Sequence, residues 1–253
     1  MKRITMIGFV SLLLSGVVIH AQNSPGAKSA GAPVSSTSST ITITPDSTPV
    51  ELARAALAAQ GGEKFKNLQS MTLTGTVDIT SSLIPQSIPG KFLWITSHER
   101  VRVELDARPF IVFKQIFDGE RSYSSIPGLR LGGSPKSFGL PLLTKFDQPG
   151  YTVAALPNQK KLRGFRISDN EGRGTDFFID PYTGRVVMYE FKSDKSSFST
   201  EHSKMDMVDG VLVPYKLTQK FQTPQGVFYA EFKVKDAKVN EPLEPEVFAI
   251  PKP

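Results

Sequence analysis

Residues 197–239 read SFSTEHSKMDMV, DG, VLVPYKLTQKFQ, TPQG, VFYAEFKVKDAKV, and this stretch decides the fold. In the three long blocks β-branched and aromatic residues recur at a period of two, the pattern of strands with one face buried. Asp209-Gly210 and Thr223-Pro-Gln-Gly226 can reverse the chain between neighbouring strands, because Gly tolerates positive φ and Pro presets the first corner of a turn. Three strands joined by two hairpins make an antiparallel meander.

The same grammar extends outward over most of the chain. Strands are expected at 70–80, 91–98, 100–106, 110–118, 121–124, 161–169, 174–180, 186–192, 197–208, 211–222 and 227–239. Asn170-Glu-Gly172 and Asp180-Pro-Tyr-Thr-Gly184 supply two more hairpin turns. Between Ile126 and Pro157 the period is lost in a Gly- and Pro-rich insertion, with a short helix expected at 138–146. Upstream, Thr48-Pro49-Val50-Glu51 suits an N-cap, a first helical proline and the reciprocal acid of a capping box. Val50, Ala53 and Leu57, joined by Leu52 and Ala56, form an apolar stripe, and Gly61-Gly62 ends the helix after 10 to 13 residues. A helical turn at 63–67 follows. About eleven strands, one amphipathic helix and a helical insertion predict one α+β domain over 48–253. An antiparallel sheet of this size is expected to curl, with the helices on its concave side covering the apolar face.

The chain before this domain is of another kind. Met1-Lys2-Arg3 precedes an apolar stretch at 4–19, and Ile19-His20-Ala21 offers a cleavage site, so residues 1–21 read as a secretory signal peptide. Sixteen residues fall short of the ~20 that span a bilayer. Residues 22–47 hold 7 Ser, 4 Thr, 3 Pro, 3 Ala and 2 Gly, too little apolar area to offset ordering entropy, and read as a flexible tether. Within it, the alternation at 41–44 is the one place suited to an added edge strand.

Several chemistries are excluded by composition. There is no Cys, which removes disulfides, thiolate metal sites, cysteine nucleophiles and lipid attachment through a thiol; the mature chain is expected to be soluble and not lipid-anchored. The net charge of +6 is scattered, with no basic run of the kind that binds nucleic acid. Past the signal peptide only His98 and His202 remain, in no HExxH arrangement, and both read as exposed strand histidines. GxSxG, SxxK, Walker and GxGxxG patterns are absent. Asp176 and Asp180 could share a strand face as paired carboxylates, but a solvated strand residue and a turn initiator are the simpler reading. No catalytic constellation, cofactor or metal is indicated, and the chain does not read as an enzyme.

The strand faces carry the remaining signal. Val101, Val103 and Leu105 alternate with Arg100, Arg102 and Glu104, so one face of that strand is wet. Phe92 and Trp94 oppose Leu93 and Ile95, and Phe110 and Val112 oppose Ile111 and Phe113, so other strands are apolar on both faces. Either the second faces pack beneath the 126–157 insertion and other loops, or they enclose a concave apolar pocket with the insertion as its cover. The candidate lining residues are Phe92, Trp94, Phe110, Phe113 and Phe117, with Leu140, Leu142 and Leu143 in the cover.

Several segments together resemble bacterial exported proteins of the LolA/LolB-like superfamily: ARAALAAQGG at 53–62, the strand at 71–78, Ile179-Asp-Pro-Tyr-Thr-Gly184 continuing through Arg185 to Glu190, Asp209 to Tyr215, and Val239-Asn-Glu-Pro-Leu243 with Phe248 near Pro251. The resemblance covers roughly 50–251. It implies a curved, incomplete antiparallel barrel with an apolar hollow plugged by helices. It further implies a periplasmic lipid- or lipoprotein-binding carrier that sequesters acyl chains without catalysis, in a Gram-negative cell envelope, with a lipid or an acylated protein as partner. The alternative is an envelope protein–protein interaction or sensing module of the same fold with no open lipid cavity.

Overall fold

The computed structural model describes residues 42–82, 84–126, 138–192, 196–224 and 226–251. The expected signal peptide at 1–21 and most of the expected tether at 22–47 lie outside the described residues, as does 127–137 of the insertion. Helix α1 (Pro49–Gln60) begins as its sequence dictates: the Thr48 hydroxyl accepts from the Glu51 amide, the Glu51 carboxylate accepts from the Thr48 amide, and Pro49 opens the helix. Gly61, at φ 121°, ends it. A single turn, α2 (Glu63–Lys66), follows.

Twelve strands then form one antiparallel sheet: β1 (Met71–Ser81), β2 (Ile84–Ser97), β3 (Arg100–Ala107), β4 (Ile111–Phe117), β5 (Ser122–Ser124), β6 (Tyr151–Gln159), β7 (Leu162–Asp169), β8 (Gly174–Ile179), β9 (Val186–Lys192), β10 (Ser197–Val208), β11 (Val211–Thr223) and β12 (Gly226–Val239). Their order is β5-β4-β3-β2-β1-β12-β11-β10-β9-β8-β7-β6, so the ladder is open, with β5 and β6 as its edges. Among the described residues only the β1–β12 pairing joins strands distant in sequence. Each expected strand is present. The count of eleven is one too few because β6 lies inside the insertion, and β2 starts seven residues before the expected Lys91.

The β1 ladder breaks register at Thr74/Gly75, and Gly75 is obligatory there. A Cβ at this position would stand 2.0 Å from the Lys233 carbonyl oxygen and 2.9 Å from the Phe92 ring. The register skips Lys235 on β12, the count of a β-bulge, a feature that bends a strand locally.

Three buried clusters hold the fold. One packs Leu52, Ala53, Ala56 and Leu57 of α1 against Phe165, Ile167, Phe177 and Ile179 of β7 and β8. A second gathers Leu73, Val77, Phe92, Phe113 and Phe232 on β1, β2, β4 and β12. The third lies on the outer face, where Ile95 and Ile116 meet Phe248 in a C-terminal 3-10 helix (Pro245–Phe248). Arg102 donates to the Val247 carbonyl at 2.7 Å and Arg100 lies over the Phe248 ring at 4.6 Å, so the face read as wet is partly roofed by the C-terminal segment. Residues 43–47 of the expected tether are likewise docked: Ile43 packs against the first cluster, and Arg163 donates to the Thr44 carbonyl at 2.6 Å.

Candidate functional site

Antiparallel pairing places directly opposed residues on one face of the sheet. Four such rows on the inner face converge. Leu73, Trp94, Val103 and Gln115 run across β1 to β4, and Met71, Thr96, Val101, Phe117 and Ser122 run beside them out to β5. On the other wing, Tyr189, Thr200 and Gln219 span β9 to β11, next to His202, Leu217 and Phe232 on β10 to β12. All of these residues line one cavity of about 790 Å³. Gln115 on β4 and Tyr189 on β9 are seven strand positions apart, ~34 Å on a flat sheet at ~4.8 Å per strand, so both can face this space only because the sheet curls.

The cavity lies between the first two clusters. Phe65 of α2 touches both of them and lines the cavity as well. Its cover is the described part of the insertion, in which the expected helix is a 3-10 helix at Leu140–Thr144. The Gly139 amide donates to Thr175 Oγ1 at 2.9 Å, and Phe138 stands edge-on to Phe198, with ring centres 5.4 Å apart.

The eight residues singled out in the sequence fall into three groups. Trp94, Phe117 and Leu140 line the cavity. Phe92, Phe113, Leu142 and Leu143 are buried in the packed clusters and are not among its lining. Phe110 stands apart, 60% exposed beyond the start of β4, where its parity is opposite to that of Phe113 and Phe117. Phe113 and Phe110 therefore never belonged to one wall.

Sequence reasoning missed the polar part of the lining. His202 is 6% exposed, not a surface residue; its Nδ1 lies 3.1 Å from the Val186 carbonyl, and its ring meets Tyr189 edge-on at 5.7 Å. Burial lowers its pKa to about 4, against which the Val186 hydrogen bond acts weakly. Burial also pushes the Tyr189 phenol up; the Thr200 hydroxyl lies beside it and opposes that push in part, without a hydrogen bond of normal geometry. Parity was the available signal: Phe198, Thr200 and His202 alternate with Ser199, Glu201 and Ser203.

His202 makes stability depend on pH in a defined direction. The unfolded imidazole takes up a proton near pH 6.5, whereas the folded one stays neutral down to about 4, so stability is lost as pH falls through this window. Between pH 7 and pH 5 the expected loss is about 2 kcal/mol, from ~1.4 kcal/mol for each pH unit below 6.5. Urea unfolding at the two pH values measures it, with His202→Gln as reference; equal losses in both proteins would refute the assignment.

The carboxylate pair does not assemble. Asp176, read as solvated, is buried and accepts from Arg166 at 3.1 Å through Oδ2, with a second, shorter contact to the guanidinium through Oδ1. Asp180 instead accepts from the Tyr182 and Thr183 amides at 2.9 Å in its turn. Among the described residues no three His, Asp or Glu side chains converge as metal ligands, and no helix is long and apolar enough to cross a membrane.

No family model matches the chain, and no curated protein matches it. Solved structures do. A LolA superfamily protein from Nitrosomonas europaea is similar over 77% of this chain and 97% of its own, at 11% identity and a TM-score of 0.51. A DUF1329 family protein from Desulfovibrio piger is similar over 80% of this chain and 98% of its own, at 10% identity and a TM-score of 0.50. At such identities the likeness is one of fold: the chain has a LolA-like fold, an open curved antiparallel sheet carrying few helices.

Proposed function

We propose that the protein is an exported, carrier-like binder that sequesters acyl chains of a lipid or lipoprotein in this cavity, without covalent chemistry. The observation that carries the reading is the space itself: about 790 Å³ between two packed clusters, within the ~300–1,000 Å³ typical of small-molecule sites. Its walls are largely apolar, with Trp94 and Phe117 on one wing, Phe232 on the other and Leu140 in the cover. Each methylene moved from water onto such walls contributes about 0.8 kcal/mol. The LolA-like fold supports the same reading, since the neighbour from Nitrosomonas europaea is a LolA superfamily protein. On this reading residues 1–21 direct export and are removed, 22–47 tether the domain at 48–253 with 43–47 docked on it, and the site acts in the periplasm. A docking or sensing module of the same fold would have no use for the cavity, and that second reading is less well supported.

Titration with a fluorescent fatty acid tests the proposal. Saturable uptake of the probe and its displacement by an unlabelled fatty acid are expected. A well-folded protein that leaves the probe's emission unchanged would sink it.

A further inference from the structure

The cavity's polar lining divides sharply by charge. Lys66, His98, Glu99 and Glu120 line it from the exposed surface, and Lys145 is half-buried. Every buried polar side chain on the lining is uncharged: Ser70, Gln115, Tyr189, Thr200, Gln219 and the neutral His202. Ser70 is satisfied by the Glu241 carbonyl at 2.7 Å.

Of the others, Thr200 Oγ1 has no hydrogen-bond partner among the described residues and is sealed, while His202 and Gln219 carry unpaired atoms that are not sealed. The Val186 carbonyl can only accept, so His202 Nδ1 carries the proton and Nε2 presents a lone pair. Nε2 has no hydrogen-bond partner among the described residues, yet it is not sealed from the cavity. The Gln219 amide, on a residue only 3% exposed, likewise has no partner among the described residues and opens to the cavity. Gln219 lies opposite Thr200, and Leu217 opposite His202, so the acceptor and the amide stand on adjacent strands of one wall. Buried polar groups are normally paired, and a purely hydrocarbon occupant would leave both of these dry and unpaired.

We propose that the ligand is an uncharged amphiphile bearing a hydroxyl group, which donates to His202 Nε2 and accepts from the Gln219 amide. This rests on the acyl-binding reading and narrows it. A carboxylate or phosphate would have nothing to donate to Nε2 and would lose its hydration at a wall with no buried cation. A hydroxyl both donates and accepts, as the wall requires.

The test uses the folded chain and displacement of the neutral probe N-phenyl-1-naphthylamine by three ligands with matched chains: 1-dodecanol, dodecyl methyl ether and dodecanoate. Dodecanol should displace the probe at about one-tenth of the concentration needed for the ether or the carboxylate. In Gln219→Leu the advantage over the ether should shrink to threefold or less. His202→Phe is expected to do the same, and Gln219→Leu decides the matter should the histidine variant not fold. Equal displacement by alcohol and ether, a preference for dodecanoate, or an undiminished preference in Gln219→Leu would each overturn the inference while leaving acyl binding intact. A protein displaced by none of the three would overturn both.

Discussion

Val103→Trp should abolish acyl-chain uptake while leaving the domain folded. Val103 sits in the row between Trp94 and Gln115, with its side chain against the cavity, so an indole there can extend only into the space a ligand would occupy. Displacing about four methylenes from the walls costs ~3 kcal/mol at ~0.8 kcal/mol each, or about a hundredfold in affinity. Val112→Trp is the matched control, because Val112 is 57% exposed on the opposite face of the neighbouring strand. Fluorescent probe titration of the two variants, with far-UV circular dichroism to establish folding, reads the outcome. Unchanged affinity in Val103→Trp would mean that the probe binds elsewhere.

The largest loss of stability is expected from Phe177→Ala. Phe177 is fully buried on β8, stacked on Phe165 with ring centres 5.2 Å apart and tilted against Tyr189 at 6.3 Å. It belongs to the cluster that holds α1 and the 3-10 helix of the cover against β7 and β8. The hole left by its ring cannot collapse without moving two elements, and such truncations cost about 3–5 kcal/mol. At roughly 2–4 °C per kcal/mol for a domain of this size, the melting temperature should fall by on the order of 10 °C. A loss below about 1 kcal/mol in urea unfolding would show that this cluster does not hold the helical side of the molecule.

Most of the fold was legible because its signals are local. The capping box at Thr48 and Glu51, the Asp180–Gly184 turn and the Asp209-Gly210 hairpin each act within a few residues, and the structure realises each one. Strand β6 was not legible: Tyr151-Thr-Val-Ala-Ala-Leu-Pro-Asn-Gln has two consecutive alanines, a proline and a mostly exposed edge, so no period-two apolar face stands out. The first half of β2 was hidden for a related reason. Its Pro85, Pro89 and Gly90 read as breakers, and the pairing with β1 overrides that preference.

The site was legible only in part. Val101 and Val103 lie on the inner face that their alternation assigned, and Trp94 and Phe117 lie there too. Which inner-face aromatics pack and which line a space depends on how tightly the sheet curls, a long-range property that no window of sequence contains. Phe92 meets Phe232 edge-on at 5.0 Å and is core, while Trp94, two residues on, reaches the cavity. The polar wall escaped notice because Thr200 and His202 sit in a strand with three Ser and with Glu201, Lys204 and Asp206. Register shifts at His202/Lys204 and Lys204/Met205 then break the alternation just past the site.

A native mass spectrum of the protein purified from its host without detergent tests whether the inner face holds a space for a ligand's acyl chain. A released adduct with the mass of an acyl-bearing lipid, bound one to one and absent from Val103→Trp, is expected. A spectrum showing only the bare polypeptide, unchanged after incubation with excess lipid, would contradict it.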